Sequence, residues 1–270
     1  MVIFPNCKIN LGLHILQKRA DGFHDLETVF YPIPLKDVVE AIRSDAFHFT
    51  NTGIVIEGDI SGNICYKAWK MLESRHAIPP VQLHLHKAIP AGAGLGGGSS
   101  DGAFTLKLLN QLFQLKLSTE TLIDYALELG SDCPFFIINK PAYATGRGEM
   151  LRSIPLDLSS FTFVLVNPGI HVNTGWAFSQ LSLDNGSLNR GHIQQIISLP
   201  ITEWKEKLFN DFEHIVFEKH PEINQIKATL YDAGAVYASM SGSGSTVFGI
   251  FNNSSIPAFK GFENYKVFIF

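Results

Sequence analysis

The segment Pro90-Ala-Gly-Ala-Gly-Leu-Gly-Gly-Gly-Ser-Ser-Asp-Gly102 is the most informative stretch of this chain. Its glycines permit positive backbone φ angles and let a ligand approach the main chain. Apolar residues alternate over 81–85 and recur at helical spacing after the loop, which predicts a strand before it and a helix after it. Backbone N–H groups at a helix N-terminus carry partial positive charge, so this setting is typical of phosphate binding. A flexible linker or a tight turn is the simpler alternative.

Two known phosphate-binding patterns can be compared with this loop. GxxxxGK[ST] does not occur in the chain, which excludes a Walker A loop. Gly92, Gly94 and Gly97 satisfy GxGxxG, the pattern of dinucleotide-binding folds. Against that fold, Pro90 opens the loop, and no acidic residue ends a following strand at the expected distance. A dinucleotide-binding enzyme therefore stays an alternative.

Composition limits the class of protein. The chain has 270 residues, of which 46% are hydrophobic and 17% charged, enough for a well-buried core in one large or two medium domains. A formal net charge of −4 without a long basic run argues against a nucleic-acid partner. Three dispersed cysteines favour neither a disulfide framework nor a metal knuckle, and they fit a reducing compartment.

No targeting or membrane segment is evident. Polar residues interrupt the first ten positions, and no apolar stretch is long enough to span a bilayer. We therefore expect a cytoplasmic protein with no membrane partner.

Periodicity predicts the remaining elements. Residues 8–16 alternate, which predicts a strand with Lys8, Asn10, Gly12 and His14 on its polar face. Further strands are predicted over 28–33, 161–166, 236–240 and 246–251, and helices over 63–75, 119–129, 202–219 and 222–233. Pro32 and Pro34 are expected to end the second strand. Because strands and helices mix without strict βαβ alternation, the predicted class is α+β, with domains at 1–150 and 151–270.

The central motif, PAGAGLGGGSSDGA, resembles that of the GHMP kinases. Three further segments also resemble this family: KINLGLHIL with KRADGFHDLETVF at 18–30, GSDCPFF at 130–136 and MSGSGSTVFGIF at 240–251. The four segments occur in the family's order and with its spacing, and the resemblance extends over essentially the whole chain. The resemblance implies a ribosomal-S5-domain-2-like N-terminal domain that binds ATP and a ferredoxin-like C-terminal domain.

The resemblance also implies the reaction, which is the phosphorylation of an alcohol by ATP with Mg²⁺. The KRADGFH segment narrows it to the branch that phosphorylates the 2-hydroxyl of a cytidine diphosphate-linked methylerythritol in the non-mevalonate isoprenoid route. A family kinase with another alcohol and a catalytically inactive binding protein are the alternatives, although the presence of both Lys8 and Asp132 argues against the latter. We expect a monomer or a weak homodimer.

The resemblance assigns Asp132 as the catalytic aspartate and Lys8 as the lysine paired with it. A carboxylate beside an acceptor hydroxyl can orient it and take its proton. An ammonium stabilises that carboxylate and attracts the γ-phosphate. From the residues alone, a turn or a helix cap is the favoured interpretation of Asp132. A solvated strand face is the alternative for Lys8, although Asn10 on the same face favours a shared functional surface.

The other site residues fall into a nucleotide set and a substrate set. The nucleotide set is Pro90, Gly92, Gly94, Gly96, Gly97, Gly98, Ser99 and Ser100 of the loop, with Asn63 and Lys87. The substrate set is Asn10, Phe23, His24, Thr174, Phe178, Gly242 and Ser243.

Several of these residues carry a specific expectation. Lys87 is expected to help offset the charge of ATP, with a solvated strand end as its alternative, and Ser100 to reach a magnesium ion. His24 is expected to hydrogen-bond the cytosine edge. Phe23, where the family often has Tyr, is expected to stack on the base without a phenol hydroxyl.

Two expectations keep explicit alternatives. Phe178 is expected to supply the aromatic ring opposite Phe23, with Trp176 as the alternative, although such aromatic stripes more often belong to a core. The Gly242-Ser243-Gly244 loop is expected to approach phosphates, with a simple β-turn as its alternative.

Overall fold

The computed structural model describes residues 1–56, 58–181, 191–252 and 261–270. Its strands are β1 (Val2–Ile3), β2 (Asn6–Lys18), β3 (His24–Lys36), β4 (Val38–Arg43), β5 (His48–Gly53), β6 (Val81–Lys87), β7 (Ala142–Thr145), β8 (Met150–Ser153), β9 (Phe161–Asn167), β10 (Tyr237–Met240), β11 (Val247–Asn252) and β12 (Lys266–Ile269). Its helices are α1 (Ile64–His76), α2 (Gly97–Leu112), α3 (Thr119–Leu129), α4 (Cys133–Ile138), α5 (Thr174–Gln180), α6 (Ile193–Ile197), α7 (Glu213–Lys219) and α8 (Pro221–Asp232). Within these ranges, no helix has both the length and the apolar character needed to cross a bilayer.

The strands form three four-stranded sheets in the described part of the chain. The first has the order β1-β4-β6-β5, in which β5 runs parallel to β6 while β4 runs antiparallel to both of its neighbours. The second has the order β2-β3-β7-β8, and the third, β10-β11-β9-β12, is antiparallel throughout. Helices combined with largely antiparallel sheets confirm the α+β class.

The chain forms two compact units whose segments interleave along the sequence. The first unit is Met1–Lys8, Pro32–Ala91 and Gly96–Lys140, and the second is Ile9–Tyr31, Gly92–Leu95 and Pro141–Phe270. A division at residue 150 would ignore this interleaving, because the first two long strands each run from one unit into the other. The boundary near residue 150 therefore stays a prediction about family domains.

The first unit places the end of β6 next to the start of α2. Strand β6 alternates buried and exposed residues, as its sequence predicts, and α2 buries Leu106, Leu108 and Leu109. Helix α1, whose side of Cys65, Ala68 and Leu72 is buried, packs against α2. These packed elements fix the two ends of the glycine-rich loop, both of which belong to the first unit.

The second unit has its own core. Its main cluster combines residues of β2, β9 and β11 with α7 and α8, including Val164, Val166, Phe212, Ile226 and Phe251. The cluster supports the β10–β11 connection, which carries the second glycine-serine loop.

Strand β2 extends the predicted strand in both directions, but the environment of its polar face differs from a solvated one. Lys8, Asn10 and His14 are as deeply buried as the apolar residues between them. Buried polar groups need hydrogen-bond or ionic partners. The interpretation of this face as solvated is therefore wrong.

Strand β3 continues through Pro32 and Pro34, so the prediction that these prolines end it is wrong. Proline lacks the N–H that a ladder needs and is tolerated where no partner strand requires it. The pairing of β3 with β7 covers only Thr28–Phe30, so both prolines lie beyond it.

The helix predicted over 202–219 is interrupted. It consists of a 3₁₀ helix, Ile201–Glu206, and α7, with Asn210 between them. The Asn210 side chain donates to the carbonyl oxygens of Met240 and Gly242, at 2.7 and 2.8 Å, which holds the chain beside the β10–β11 loop. A tertiary contact therefore overrides the local helical pattern here.

Candidate functional site

The loop that follows β6 ends at the N-terminus of α2, as predicted. Gly96 is the N-cap with a φ of 67°, a left-handed conformation that favours glycine. The N–H of Ser100 donates to the carbonyl of Gly96 at 2.9 Å and is the first of the helical ladder. The N–H groups of the residues before Ser100, in the first helical turn, have no acceptor within the helix. Gly98 is exposed, with open space where a Cβ would lie, so a ligand can approach these groups.

Lys8 and Asp132 form an ion pair in the first unit. The Lys8 Nζ lies 3.4 Å from Asp132 Oδ2, and the two side chains are 5% and 33% exposed. The pair lies beside the start of α2, because a Cβ added to Gly96 would lie 3.1 Å from the Cε of Lys8. A buried ammonium therefore holds a partly exposed carboxylate next to the candidate phosphate site.

The alternative interpretation of Asp132 as a helix cap does not fit. Asp132 is the N-cap residue of α4, but its side chain makes no capping hydrogen bond. Pro134 starts the helix, and Phe135 and Phe136 are fully buried, which fixes α4 in the core of its unit. The sequence thus places the carboxylate at the end of a rigid helix and leaves it free to face Lys8.

Lys87 is neither solvated nor an available counter-charge for ATP. Its side chain is 2% exposed and pairs with two buried carboxylates, Asp37 and Asp101, the latter at 2.7 Å. An ammonium held between two carboxylates has no charge to spare for a triphosphate. We therefore correct the expectation that Lys87 offsets the charge of ATP.

Ser100 also has a structural role. Its hydroxyl is fully buried and donates to the carbonyl oxygen of Asn6 at 2.6 Å. The expectation that it reaches a magnesium ion does not fit this geometry. Ser99, which is half-buried, is the hydroxyl of the pair nearer to solvent.

A pocket adjoins Asn63 in the first unit. It encloses about 320 Å³ and is lined by Phe49, Asn51, Ile56, Gly58, Asp59, Ile60, Gly62 and Asn63. The Asn63 Oδ1 accepts from the N–H of Cys65 at 2.8 Å and so caps α1. The lining combines apolar side chains with amide and carboxylate groups, and small-molecule sites use such polar groups to orient a ligand.

The second unit brings the two glycine loops together. The hydroxyl of Ser241 donates to the carbonyl of Gly94 at 2.8 Å, and the N–H of Thr246 donates to that of Ala93 at 3.2 Å. Gly94 has a φ of 77°, and a Cβ added to it would lie 1.9 Å from the Ser241 carbonyl oxygen. The sequence identified both loops but not their contact.

The loop after β10 is a turn, and it also joins two predicted substrate residues. The N–H of Gly244 donates to the carbonyl of Ser241 at 3.0 Å, so the β-turn interpretation describes its backbone. The hydroxyls of Thr174 and Ser243 lie 2.8 Å apart. Gly242 has a φ of 58°, next to the Asn10 side chain. The turn interpretation and the site interpretation are therefore compatible.

The predicted aromatic residues occupy distinct positions in the second unit. The His24 and Phe178 rings stack with centroids 4.8 Å apart, and Phe23 is exposed beneath the Arg147 guanidinium. Trp176 instead lies under the Lys219 ammonium at 3.7 Å. Phe178 is thus the one of the two rings that packs on His24, and its stacking on the base stays a prediction.

Burial, with a smaller effect from Lys18, lowers the pKa of His24 below its ordinary value. A neutral imidazole at physiological pH offers one donor and one acceptor, which suits the edge of a base. Asn10 is more constrained, since its Nδ2 donates to the Thr28 hydroxyl at 3.0 Å and its N–H to the Ser241 hydroxyl at 3.2 Å.

The sequence did not reveal a buried network around Glu27. His14 Nδ1 lies 3.1 Å from its carboxylate, and the Tyr143 hydroxyl donates to it at 2.6 Å. Burial alone would raise the pKa of Glu27, but hydrogen bonds from His14, Tyr143 and the Ile193 N–H hold it at about 2. The alternation of β2 marks His14 as polar-facing, but partners more than a hundred residues away leave no local signal.

Family models match both halves of the chain. The model described as the N-terminal domain of GHMP kinases matches residues 63–140, and the model described as the GHMP kinases C-terminal region matches residues 195–260. The first match contains Asn63, the start of α2 and Asp132.

Curated relatives and a solved structure agree with these matches. A protein of Bacteroides fragilis is 50% identical over 93% of this chain and 92% of its own length, and one of Parabacteroides distasonis is 48% identical over 93% and 92%. Both are named 4-diphosphocytidyl-2-C-methyl-D-erythritol kinase. A crystal structure of 4-(cytidine 5'-diphospho)-2C-methyl-D-erythritol kinase superposes with a TM-score of 0.78 at 30% identity, covering 93% of this chain and 90% of that one.

Proposed function

We propose, since this chain belongs to the GHMP kinase family, that it transfers the γ-phosphoryl group of ATP to the 2-hydroxyl of 4-diphosphocytidyl-2-C-methyl-D-erythritol. The products are the 2-phosphate and ADP, in the non-mevalonate route to isoprenoids. Kinase activity and the use of ATP follow from the family, and the acceptor is the substrate printed in the names of its relatives.

One observation carries the proposal: the ion pair of Lys8 and Asp132 lies beside the N-terminus of α2. Phosphoryl transfer passes through a loose transition state and depends mainly on positioning and on charge stabilisation. A carboxylate for the acceptor hydroxyl, an ammonium for the transferred group and a helix N-terminus for the remaining phosphates supply these requirements.

The reaction assigns a role to each member of the pair. Asp132 accepts a hydrogen bond from the 2-hydroxyl and orients its oxygen toward the γ-phosphorus. As the new O–P bond forms, the bond from the γ-phosphorus to the β–γ bridging oxygen breaks, and ADP leaves with that electron pair. The hydroxyl proton passes to Asp132, while Lys8 stabilises the negative charge on the transferred group.

ATP is proposed to bind to the first unit along a second set of residues. The adenine is proposed to occupy the pocket beside Asn63, where apolar side chains can contact a base and amide groups can bond its edge. The phosphates accept hydrogen bonds from the N–H groups of Gly97, Gly98 and Ser99.

Magnesium is proposed to arrive with the nucleotide. The described residues include no group of three His, Cys, Asp or Glu side chains suited to hold a metal. A site without such a group still fits Mg²⁺, because that ion keeps several waters and binds mainly phosphate oxygens. Ser99 is the hydroxyl proposed to complete its coordination. When bound, the ion neutralises charge on the β- and γ-phosphates.

The cytidine end is proposed to bind to the second unit. Neutral His24 bonds the cytosine edge, Phe23 offers an exposed ring face, and Phe178 supports the His24 ring. Thr174 and Ser243 present adjacent hydroxyls for the diphosphate or the methylerythritol.

The dinucleotide-binding alternative does not fit the sheet. In that fold the strand before the GxGxxG loop lies within a parallel sheet. Strand β6 pairs antiparallel with β4 on one side. The glycine pattern therefore arises in a different architecture.

ADP release with ATP and Mg²⁺ tests the proposed function directly. We expect release with the cytidyl substrate and none with mevalonate, homoserine or galactose. Release with another alcohol instead would keep the kinase chemistry and reject the cytidine specificity. If none of these acceptors causes ADP release although ATP binds measurably, the proposed reaction is rejected.

Replacing His24 by alanine is expected to raise KM for the cytidyl substrate at least tenfold and to change KM for ATP little. The reason is that a base-edge hydrogen bond and a stacked ring are both lost on the substrate side only. Steady-state kinetics with each substrate varied in turn measures the two effects. His76→Ala is the matched control, because His76 is also half-buried and has one aromatic partner, Tyr125. Equal losses for both substrates would contradict the cytosine assignment.

A further inference from the structure

Three charged side chains are buried together in the first unit at the point where β6 ends. Lys87, the last residue of β6, pairs with Asp37 and Asp101, and all three side chains are 2% exposed or less. Asp37 lies between β3 and β4, and Asp101 lies in the first part of α2. We refer to these three residues as the Lys87 cluster.

The Lys87 cluster joins the two ends of the glycine-rich loop that belong to the first unit. Asp37 Oδ1 accepts from the N–H groups of Ala88 and Ile89, at 2.6 and 2.8 Å, and so fixes the chain just after β6. Lys87 reaches across to Asp101 on α2. A Cβ added to Gly97 would lie 2.9 Å from the Lys87 Nζ, so the ammonium also packs against the first residue of the helix.

The charges in this cluster do not balance unless it holds a proton. Two carboxylates face one ammonium, and an unpaired buried charge is costly. Asp101 Oδ1 is buried without a hydrogen-bond partner, and a proton on the Asp37–Asp101 pair removes the excess negative charge. Burial first, and the Asp37 charge after it, raise the pKa of Asp101 to about 8 against the opposing effect of Lys87.

Among the residues that the structure describes, no other group facing the cluster supplies or removes that charge at neutral pH. The titratable groups that face it from neighbouring elements are two thiols, Cys7 of β2 and Cys65 of α1. Burial raises the pKa of Cys7 to about 12 and also raises that of Cys65. Both thiols are therefore neutral, and Lys8, which acts on Cys7, is paired with Asp132.

We propose that Lys87 is a positioning residue that never touches ATP: together with Asp37 and Asp101, it fixes the N-terminus of α2 against the end of β6 so that the first-turn N–H groups meet the phosphates. This inference rests on the proposed use of α2 for ATP. It deepens that proposal by separating the residues that bind the nucleotide from those that hold the binding backbone in place.

The decisive variants are Lys87→Met and Lys87→Met combined with Asp37→Asn. The single substitution leaves a buried Asp37 carboxylate without its counter-ion and is expected to loosen the loop. In the double variant an amide oxygen can still accept from Ala88 and Ile89, and the uncompensated charge is gone. Lys107→Met is the matched control, because Lys107 is a partly buried lysine of α2, the helix that carries Asp101, and it contacts the Ile137 carbonyl rather than the cluster.

Calorimetric titration with ATP and Mg²⁺, well below each unfolding transition, gives the required readout. We expect Lys87→Met to weaken ATP binding tenfold or more, the double variant to recover most of that loss, and Lys107→Met to bind as the unmodified protein does. A double variant that regains stability but not affinity would identify Lys87 as a direct ligand and overturn the proposal. Lower stability with unchanged affinity in Lys87→Met would equally overturn it, by showing a purely structural role.

Titration with ATP alone also separates this inference from the proposed function. A protein that binds ATP but does not phosphorylate the cytidyl substrate would reject the proposed reaction and leave the comparison of variants intact. A protein that fails to bind ATP before any substitution is made would overturn both.

The shared proton is tested by the pH dependence of unfolding. The folded state holds the Asp101 proton more tightly than the unfolded chain, so the stabilisation that it carries is complete below about pH 4 and is lost as pH rises through about 8. The free energy of unfolding of the unmodified protein, minus that of Asp101→Asn, is therefore expected to fall between these pH values. Urea titrations across this range measure it. A difference that does not change with pH would overturn the assignment of the proton.

Discussion

Asp132→Asn is expected to lower kcat by about 10²–10⁴-fold while ATP binding and the unfolding transition stay close to those of the unmodified protein. The amide keeps the shape of the carboxylate but cannot accept the proton of the acceptor hydroxyl. Asp132 is only partly buried and makes no capping hydrogen bond, and the asparagine side-chain oxygen can still face the buried Lys8 ammonium, so the fold loses little when the charge of Asp132 is removed. Single-turnover measurement of ADP formation, with ATP affinity determined in parallel, separates the chemical step from binding.

Two comparisons make this result specific. Asp124→Asn removes an exposed carboxylate from α3 in the same unit and is expected to leave kcat unchanged. Lys8→Met is expected to lower kcat as well, and its effect should not add fully to that of Asp132→Asn, since the two groups act as a pair. Near-normal turnover by Asp132→Asn would remove this residue from the mechanism.

Among substitutions of glycine by alanine in the two glycine loops, Gly94→Ala is expected to destabilise the folded protein most. The new Cβ would lie 1.9 Å from the carbonyl oxygen of Ser241, a backbone atom that cannot turn away as a side chain can. The φ of 77° adds a further cost of roughly 1–2 kcal/mol for a residue with a Cβ. We expect a loss of roughly 3–5 kcal/mol in the free energy of unfolding, which lowers Tm by about 10 °C or abolishes soluble expression.

Gly98→Ala is the matched control for this substitution. It lies in the same loop motif, but nothing is within 4 Å of its added Cβ, and it stands in the first turn of α2 without a positive φ. Alanine is favoured over glycine in a helix by roughly 0.5–1 kcal/mol, so Tm should stay constant or rise slightly. If both variants have a Tm close to that of the unmodified protein, the close packing of the two glycine loops is disproved. Differential scanning calorimetry is sufficient for the comparison.

The elements with strong local signals were predictable. The alternation of β2 and β6, and the helix from Thr119 to Leu129 that ends at Gly130, follow from short-range patterns that the structure reproduces. The glycine loop was identifiable because glycine spacing and a strand-loop-helix setting are properties of neighbouring residues. The Asp21-Gly22 pair, which is typical of a turn, likewise lies in the connection between β2 and β3.

What sequence reasoning missed depends on partners far along the chain. A solvated strand end was the simple interpretation of Lys87, because its partner Asp37 lies fifty residues earlier and no residue next to Lys87 in the sequence indicates that pairing. The helix predicted over 202–219 is broken because Asn210 bonds Met240 and Gly242. The resemblance supplied roles for Lys8 and Asp132, but only the coordinates show that Asp132 faces an ammonium instead of capping α4.

The interleaving of the two units has a consequence for how this protein is made. Strands β2 and β3 emerge early from the ribosome, yet β7 and β8 of their sheet and the core of their unit are encoded after residue 140. Early-made strands then present unpaired edges, which are liable to non-native pairing until the partners arrive. We therefore expect the nascent chain to acquire its native structure late and in a largely concerted step, instead of completing an N-terminal domain first. A ribosome-bound intermediate stalled halfway should be more sensitive to protease and more dependent on chaperones than the released protein.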